Sequence, residues 1–496
     1  MENNRSSPVF ALRDWKVILT GAHPVFTPRF GGPLNKAHFM RDRVLGIDRE
    51  LPLLDGSTVR YVNLDNAAST PPLVDVMRAL EEFMPYYSSV HRGSGFKSRL
   101  STRAYDEAHE VVAELVGADT RRNTVVFLRN STEAINKVSH CLPEGSLVVT
   151  TVMEHHSNDL PWRDHHRVIH AGSTPEGRLD MDHLEEVLGE NAGDVSLVAV
   201  AGASNVTGFI QPVHSIARSA HDIGAKILVD CAQLAPHRRI DVLPDDDEAH
   251  LDFVVLSAHK MYAPFGTGAL VGPTDFFLEG GPDVSGGGTV KAVTLDGVHW
   301  QGMPKRGEAG SPNVPGAVAM AVAAKVLMEV GFDRIEEHES ALASYAMGRL
   351  KDVEGITIYG DTSETDFQDR VGVIPFNLEG INHFLLTAIL GFEGGVGTRS
   401  GCFCAHPYVL HLLGLSPEQL EDWKAGLIAG DVPEVAGMVR ISLGCYSSRE
   451  DVDRLMEMLD RINAGDYVGS YRKSDGICMF VPDGFPDPAE GYLRFW

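Results

Sequence analysis

Ala225-Lys-Ile-Leu-Val-Asp230 is a short apolar run that closes on a carboxylate, and Leu251-Asp-Phe-Val-Val-Leu-Ser-Ala-His-Lys260 is a second that closes on a lysine. Apolar runs of this length, rich in Val, Ile and Leu and bounded by polar residues, read as buried strands. In an open parallel sheet, the groups that follow strand ends converge on one crevice. Asp230 and Lys260 are therefore expected to share a site.

The flanking sequence supports that sheet. Further candidate strands lie at 124–128, 147–151, 168–170 and 197–201, beside 226–229 and 253–256 of the quoted runs. Most of the intervening segments are long enough for crossover helices. The region from Tyr61 to about residue 310 thus predicts a doubly wound, mostly parallel α/β domain. Residues 1–60 read as an irregular arm, with a breaker-rich stretch from Gly21 to Pro33. The Gly- and Pro-rich residues 281–315 read as a long functional loop. Helices at 317–330 and around 334–352 are expected to begin a smaller α+β domain. Its last helix starts at the cap Ser448-Arg-Glu-Asp451 and stops at Gly465. The expected organisation is an arm over 1–60, a large domain over 61–315, a smaller domain over 316–465 and a tail over 466–496. The tail carries Tyr467, Tyr471, Phe480, Phe485, Tyr492, Phe495 and Trp496, aromatics that argue for packing on the body.

Composition narrows the function classes. The 496 residues exceed what one core holds, which is about 250–300 residues. A net charge of −25 argues against nucleic-acid phosphates or an anionic membrane as the main partner. Six cysteines, at 141, 231, 402, 404, 445 and 478, are too few for a disulfide framework in a chain this long. The reducing cytoplasm is the expected compartment. There is no apolar run of membrane-spanning length, and Met1-Glu-Asn-Asn-Arg lacks a secretory pattern.

A carboxylate and a lysine at neighbouring strand ends suit one cofactor, pyridoxal 5′-phosphate. The lysine condenses with its aldehyde, and the aspartate keeps the pyridine nitrogen protonated so that the ring accepts electrons. Other segments fit. Val125-Val-Phe-Leu-Arg-Asn-Ser-Thr-Glu-Ala-Ile-Asn136 reads strand, polar turn, helix, and it places Ser131 and Thr132 at a helix N-terminus where a phosphate binds well. Ser257 and His259 precede Lys260 closely enough to reach the same phosphate. His155, after the strand at 147–151, is placed to stack on an aromatic ring. His155-His156 and His165-His166 match no common zinc spacing, so no metal is expected at this site. Arg399-Ser-Gly-Cys-Phe-Cys-Ala-His-Pro407 is a glycine-flanked loop with two cysteines, suited to a nucleophilic thiolate, a metal pair, a redox pair or a structural cysteine.

Taken together, the motifs resemble the class V aminotransferase family of fold-type I PLP enzymes, nearest the group II cysteine desulfurases and selenocysteine lyases. The resemblance spans about 61–463. It rests on Leu64-Asp-Asn-Ala-Ala68, Val90-His-Arg-Gly93, Asn130-Ser-Thr-Glu-Ala-Ile-Asn136, Met153-Glu-His-His156, Ser204-Asn-Val-Thr-Gly208, Val229-Asp-Cys-Ala-Gln233, Ser257-Ala-His-Lys260, Glu308-Ala-Gly-Ser-Pro-Asn313 and Arg399-Ser-Gly-Cys-Phe-Cys-Ala405. It implies that Lys260 holds the cofactor, Asp230 pairs with the ring nitrogen, and Gln233 contacts the ring hydroxyl with Asn205 nearby. It implies that His155 stacks on the ring and that Thr132, Ser257 and His259 bind the phosphate, with Ser311 contributed by the neighbouring subunit of a homodimer. Arg440, helped by Arg399, would clamp the substrate carboxylate, and Cys404 aligns with the nucleophile that accepts sulfur as a persulfide. The implied reaction removes sulfur from L-cysteine to give L-alanine and passes it to an acceptor, for which a protein is a candidate.

One departure stands out. Cys402 and Phe403 occupy positions that usually carry two histidines. Alternatives on the same scaffold are a C–S β-lyase, an epimerase or a transaminase. An alternative of another class is a non-catalytic sulfur-trafficking or scaffold protein.

Overall fold

The computed structural model describes residues 40–363, 367–429, 436–474 and 479–485. The larger sheet is built from β1 (Asn123–Leu128), β2 (Leu147–Thr151), β3 (Arg167–Ala171), β4 (Val195–Ala201), β5 (Lys226–Asp230), β6 (Phe253–Ser257) and β7 (Gly268–Pro273). Their spatial order is β1-β7-β6-β5-β4-β2-β3. All neighbours are parallel except β7, which runs antiparallel to both β6 and β1.

The near-continuous apolar runs follow from covering both faces of the sheet. Successive side chains alternate between two cores. Val125, Val149, Val198, Ile227 and Val254 enter one cluster, while Val126, Val148, Leu197, Leu228 and Phe253 enter the other. Helices α1 (Val74–Phe83), α2 (Phe96–Leu115), α3 (Ser131–Cys141) and α4 (Val213–Asp222) pack on these faces.

The second sheet is formed by β8 (Ile356–Ile358), β9 (Val373–Leu378), β10 (Arg399–Gly401) and β11 (Met438–Ser442). It is antiparallel throughout, in the order β8-β9-β11-β10. With α6 (Phe332–Lys351), α7 (His383–Gly394) and α8 (Arg449–Asn463) it encloses its own core, including Ile374, Phe376, Ile389, Val439, Leu455 and Leu459. The capping box at Ser448 and Asp451 is formed, and Gly465 takes φ 70° after the helix.

Several expectations need revision. β7 was not among the candidate strands; it opens at Gly268, where a side chain would strike the backbone of Asn130 and Leu256 at 2.6 Å. Helix α5 (Val314–Val330), expected to begin the second domain, buries residues on almost every face and joins the larger cluster beside α1 and α2. The stretch 281–315 contains a hairpin, Val290–Val293 with Val298–Trp300. The described part of the arm also has order: Glu50–Pro52 pairs with Thr58–Arg60. In the tail, Tyr471 donates to Glu393 at 2.8 Å and Phe485 packs on Phe392. Residues 1–39, Cys478, Tyr492, Phe495 and Trp496 lie outside the described residues. Among the described residues, no single helix is long and apolar enough to cross a membrane.

Candidate active site

A cavity of about 230 Å³ opens where β1, β2, β4, β5 and β6 end, and the second sheet supplies its remaining wall. Asp230 ends β5, and Lys260 closes the single 3₁₀ turn after β6. The expected residues Ser131, Thr132, His155, Asn205, Gln233, Ser257, His259, Arg399, Cys404 and Arg440 all line the same cavity. Ser311 does not. It is exposed and lines a different hollow with Glu133, Asp283 and Asn313.

The N-terminus of α3 makes one end polar. Asn130 caps the helix by accepting from the Glu133 amide at 3.0 Å. The Ser131 amide donates to Ser257 Oγ at 3.0 Å, and that hydroxyl lies 3.1 Å from Ser131 Oγ. Thr132 Oγ1 lies 2.7 Å from Ser157 Oγ. Hydroxyls gathered at a helix N-terminus, where the dipole is positive, form a natural anion cradle. Burial, aided by Lys260, pushes the His259 imidazole down to about 4, so it stays neutral at physiological pH.

The middle of the cavity carries the acid–base groups. Burial pulls the Lys260 ammonium below its ordinary value, opposed by Asp230. Asp230 is itself pushed up by burial, opposed by the Ala232 amide, 3.0 Å from Oδ1, and by Lys260. His155 is held down to about 3 by burial and then by the charges of Lys260, His156 and Arg440. Its Nδ1 accepts from the Ser157 amide at 3.1 Å, which puts the ring hydrogen of the neutral form on Nε2. Behind it, burial raises Glu154 to about 8 despite hydrogen bonds from Thr151 and Asn158.

The cysteine loop closes the far side. Phe403 and Cys404 take φ of 52° and 56°, left-handed backbone that side chains ordinarily avoid. Three bonds hold this shape: the Ala405 amide donates to the Cys402 carbonyl at 2.8 Å, Asn205 Nδ2 donates to the Phe403 carbonyl at 2.8 Å, and the His156 amide donates to the Cys404 carbonyl at 2.7 Å. Cys404 is exposed at the cavity, whereas Cys402 is half-buried, and burial together with Cys404 pushes the Cys402 thiol up to about 11. Arg440 is buried; it donates to the Asn205 carbonyl at 2.8 Å and to Asp65 at 3.1 Å, and its guanidinium lies 4.8 Å from the centre of the Phe403 ring.

Asp65, Ser157, Glu154 and the tethering use of Asn205 were not assigned from sequence. Asp65 and Glu154 lie within motifs that had been picked out; the partners of Asp65 come from distant strands, whereas those of Glu154 are its chain neighbours Thr151 and Asn158.

A polar ligand fits this cavity. Gln233 Oε1 and Arg440 Nε are buried with no hydrogen-bond partner among the described residues. Buried polar atoms are rarely left so. The polar end suits a phosphate, Asp230 a ring cation and Lys260 an aldehyde.

The chain is similar to known proteins over most of its length. A cysteine desulfurase of Haloferax volcanii is 36% identical over 417 residues, covering 82% of this chain and 90% of that protein. A probable cysteine desulfurase of Halalkalibacterium halodurans is 33% identical, covering 85% and 98%. The apo structure of a cysteine desulfurase from Thermococcus onnurineus NA1 superposes with a TM-score of 0.71 at 30% identity, covering 82% of this chain and 95% of that one. Residues 62–455, which carry both sheets and every wall of the cavity, match the model of the aminotransferase class-V family, and the chain belongs to that family.

Proposed function

We propose that this protein is a pyridoxal 5′-phosphate-dependent cysteine desulfurase that takes sulfur from L-cysteine onto Cys404 and releases L-alanine. The observation that carries this reading is that an exposed thiol, Cys404, opens onto the same cavity as Lys260 and Asp230. The names of the relatives agree with it.

When bound, pyridoxal 5′-phosphate supplies an aldehyde for amines and a ring that stabilises negative charge at the substrate Cα. Lys260 Nζ is the group that holds the aldehyde, and its lowered affinity for protons favours the free amine that attacks and later takes the Cα proton. Asp230, as an anion, would pair with the ring nitrogen. His155, neutral, would stack on the ring without adding charge. Ser131, Thr132, Ser257 and His259 would hold the phosphate and Gln233 would meet the ring hydroxyl, while Asn205 holds the cysteine loop. Arg440 and Arg399 orient the substrate carboxylate.

Cys404 then attacks the substrate sulfur as a thiolate. An S–S bond forms, the Cβ–S bond breaks with its electron pair passing to the substrate carbon, and protonation of that carbon yields alanine. The persulfide passes to a thiol acceptor, for which a small protein is the natural class. We further propose a homodimer in which the partner subunit's Ser311 completes the phosphate cradle, since this chain's own Ser311 lies outside its cavity. The domain organisation we infer is a large cofactor domain and a smaller one carrying the cysteine loop. The setting we infer is the reducing cytoplasm, where a persulfide-forming thiol stays available.

Product analysis tests the reaction. Incubation with L-cysteine and a thiol reductant should yield alanine and sulfide in equal amounts. Pyruvate and ammonia in place of alanine would instead identify β-elimination.

A further inference from the structure

At the entries of β5 and β6, opposite the strand ends that build the cavity, three donors converge. His221, His250 and Asp252 each bring one donor atom within 4.8 Å of the others. His221 lies in the last turn of α4, and His250 and Asp252 flank Leu251 just before β6.

The tautomers of both rings are fixed by their other nitrogen. His221 Nδ1 lies 2.8 Å from the Glu248 carbonyl, and His250 Nδ1 lies 2.7 Å from the Asp247 carbonyl. A carbonyl only accepts, so both Nδ1 atoms carry hydrogen. His221 Nε2 is then left 2.9 Å, and His250 Nε2 3.8 Å, from Asp252 carboxylate oxygens. In neutral rings these two Nε2 atoms are lone pairs aimed at an anion. A proton on His221, which is within hydrogen-bond reach of Asp252, or one cation shared by both rings relieves this.

Protonating both rings would set two imidazolium rings face to face, 4.3 Å apart at an interplanar angle of 21°. One divalent cation satisfies both lone pairs and the carboxylate without that repulsion. Histidines anchored through the second nitrogen to a backbone carbonyl are pre-oriented as metal ligands. Two imidazoles and a carboxylate are a donor set that suits zinc. The carboxylate is fixed as well: it accepts from the Ile227 amide at 2.9 Å and from Lys226 Nζ at 3.0 Å. The histidine side chains keep about a fifth of their surface exposed, 19% and 21%, so an ion can enter.

We propose that His221 Nε2, His250 Nε2 and Asp252 form a zinc-binding site, with the remaining coordination position open to water. The site joins the end of α4 to the start of β6 and touches no residue of the cavity described above.

The full chain, stripped with a chelator, is titrated with zinc chloride beside His250→Ala and His221→Gln. Binding of one zinc should weaken by about 10-fold or more in each variant. Zinc should raise the melting temperature of the parent and not of the variants. X-ray absorption at the zinc edge should show nitrogen and oxygen neighbours without sulfur. Equal zinc affinity in parent and variants, or sulfur in the coordination shell, would overturn the proposal. The two variants touch different elements, so one remains informative if the other fails to fold.

Discussion

Arg399 and Arg440 are direct cross-strand partners of β10 and β11. Like charges so placed repel unless an anion lies between them. Asp65 supplies part of that anion: Arg440 Nη2 is 3.1 Å from its Oδ1, and Arg399 Nη1 is 3.9 Å from its Oδ2. Two cations answered by one carboxylate leave a net positive charge at the mouth of the cavity. A second carboxylate, that of an amino-acid substrate, completes the balance.

Arg440→Lys should therefore damage substrate binding before it damages the cofactor. An ammonium cannot donate at once to the Asn205 carbonyl, Asp65 and a substrate carboxylate in the fork geometry of a guanidinium. Steady-state kinetics should show KM for L-cysteine rising about 10-fold or more. The visible spectrum of the bound cofactor should be unchanged.

Asn205→Ala should loosen the cysteine loop. The lost bond to the Phe403 carbonyl is the side-chain bond among the three that hold Phe403 and Cys404 in left-handed backbone. A nucleophile misplaced by about 1 Å loses up to about 100-fold in rate. Stopped-flow mixing with L-cysteine should find substrate binding largely intact and alanine formation slowed.

Lys260→Ala should abolish the borohydride-reducible visible band of the reconstituted protein, because among the described residues Lys260 is the one cavity-lining amine that can hold an aldehyde. Absorption spectra before and after borohydride check this.

Glu339→Gln should destabilise the fold. Glu339 is buried, with Arg238 Nη1 at 2.7 Å, His237 Nδ1 at 2.8 Å and the Gly372 amide donating at 3.0 Å. Removing its charge leaves the buried Arg238 with only the exposed Glu336, 3.5 Å from its Nε, as a carboxylate partner, and a buried pair broken in this way loses up to about 3–5 kcal/mol. Burial works against the carboxylate, but His237 and Arg238 hold it down to about 2, below its ordinary 4.5. For an acid with a lowered folded value, the stabilisation is complete above 4.5 and disappears as pH falls toward 2. Denaturant titrations should therefore show a shallower loss of stability over that window in the variant than in the parent.

The cofactor half of the cavity was legible because it sits at strand ends. Asp230, His155, Ser257 and Lys260 each follow an apolar run, and parallel topology alone brings such positions together. What was hidden depends on pairing between distant segments. Nothing local tells that Arg399 stands opposite Arg440, or that Asp65 lies between them. Strand β7 was hidden because its glycines, required by close packing on Asn130 and Phe253, also signal a turn. Helix α5 is apolar on nearly every face, so its pattern announced burial without saying in which core.

The central claim is that Cys404 takes the sulfur. Alanine formation from L-cysteine is measured for the parent, Cys404→Ser and Cys402→Ser, each carrying its cofactor with an unchanged visible spectrum. The account predicts that Cys404→Ser loses alanine formation by about 1,000-fold or more, while Cys402→Ser keeps its first turnover. Alanine formed by Cys404→Ser at the parent rate would contradict it.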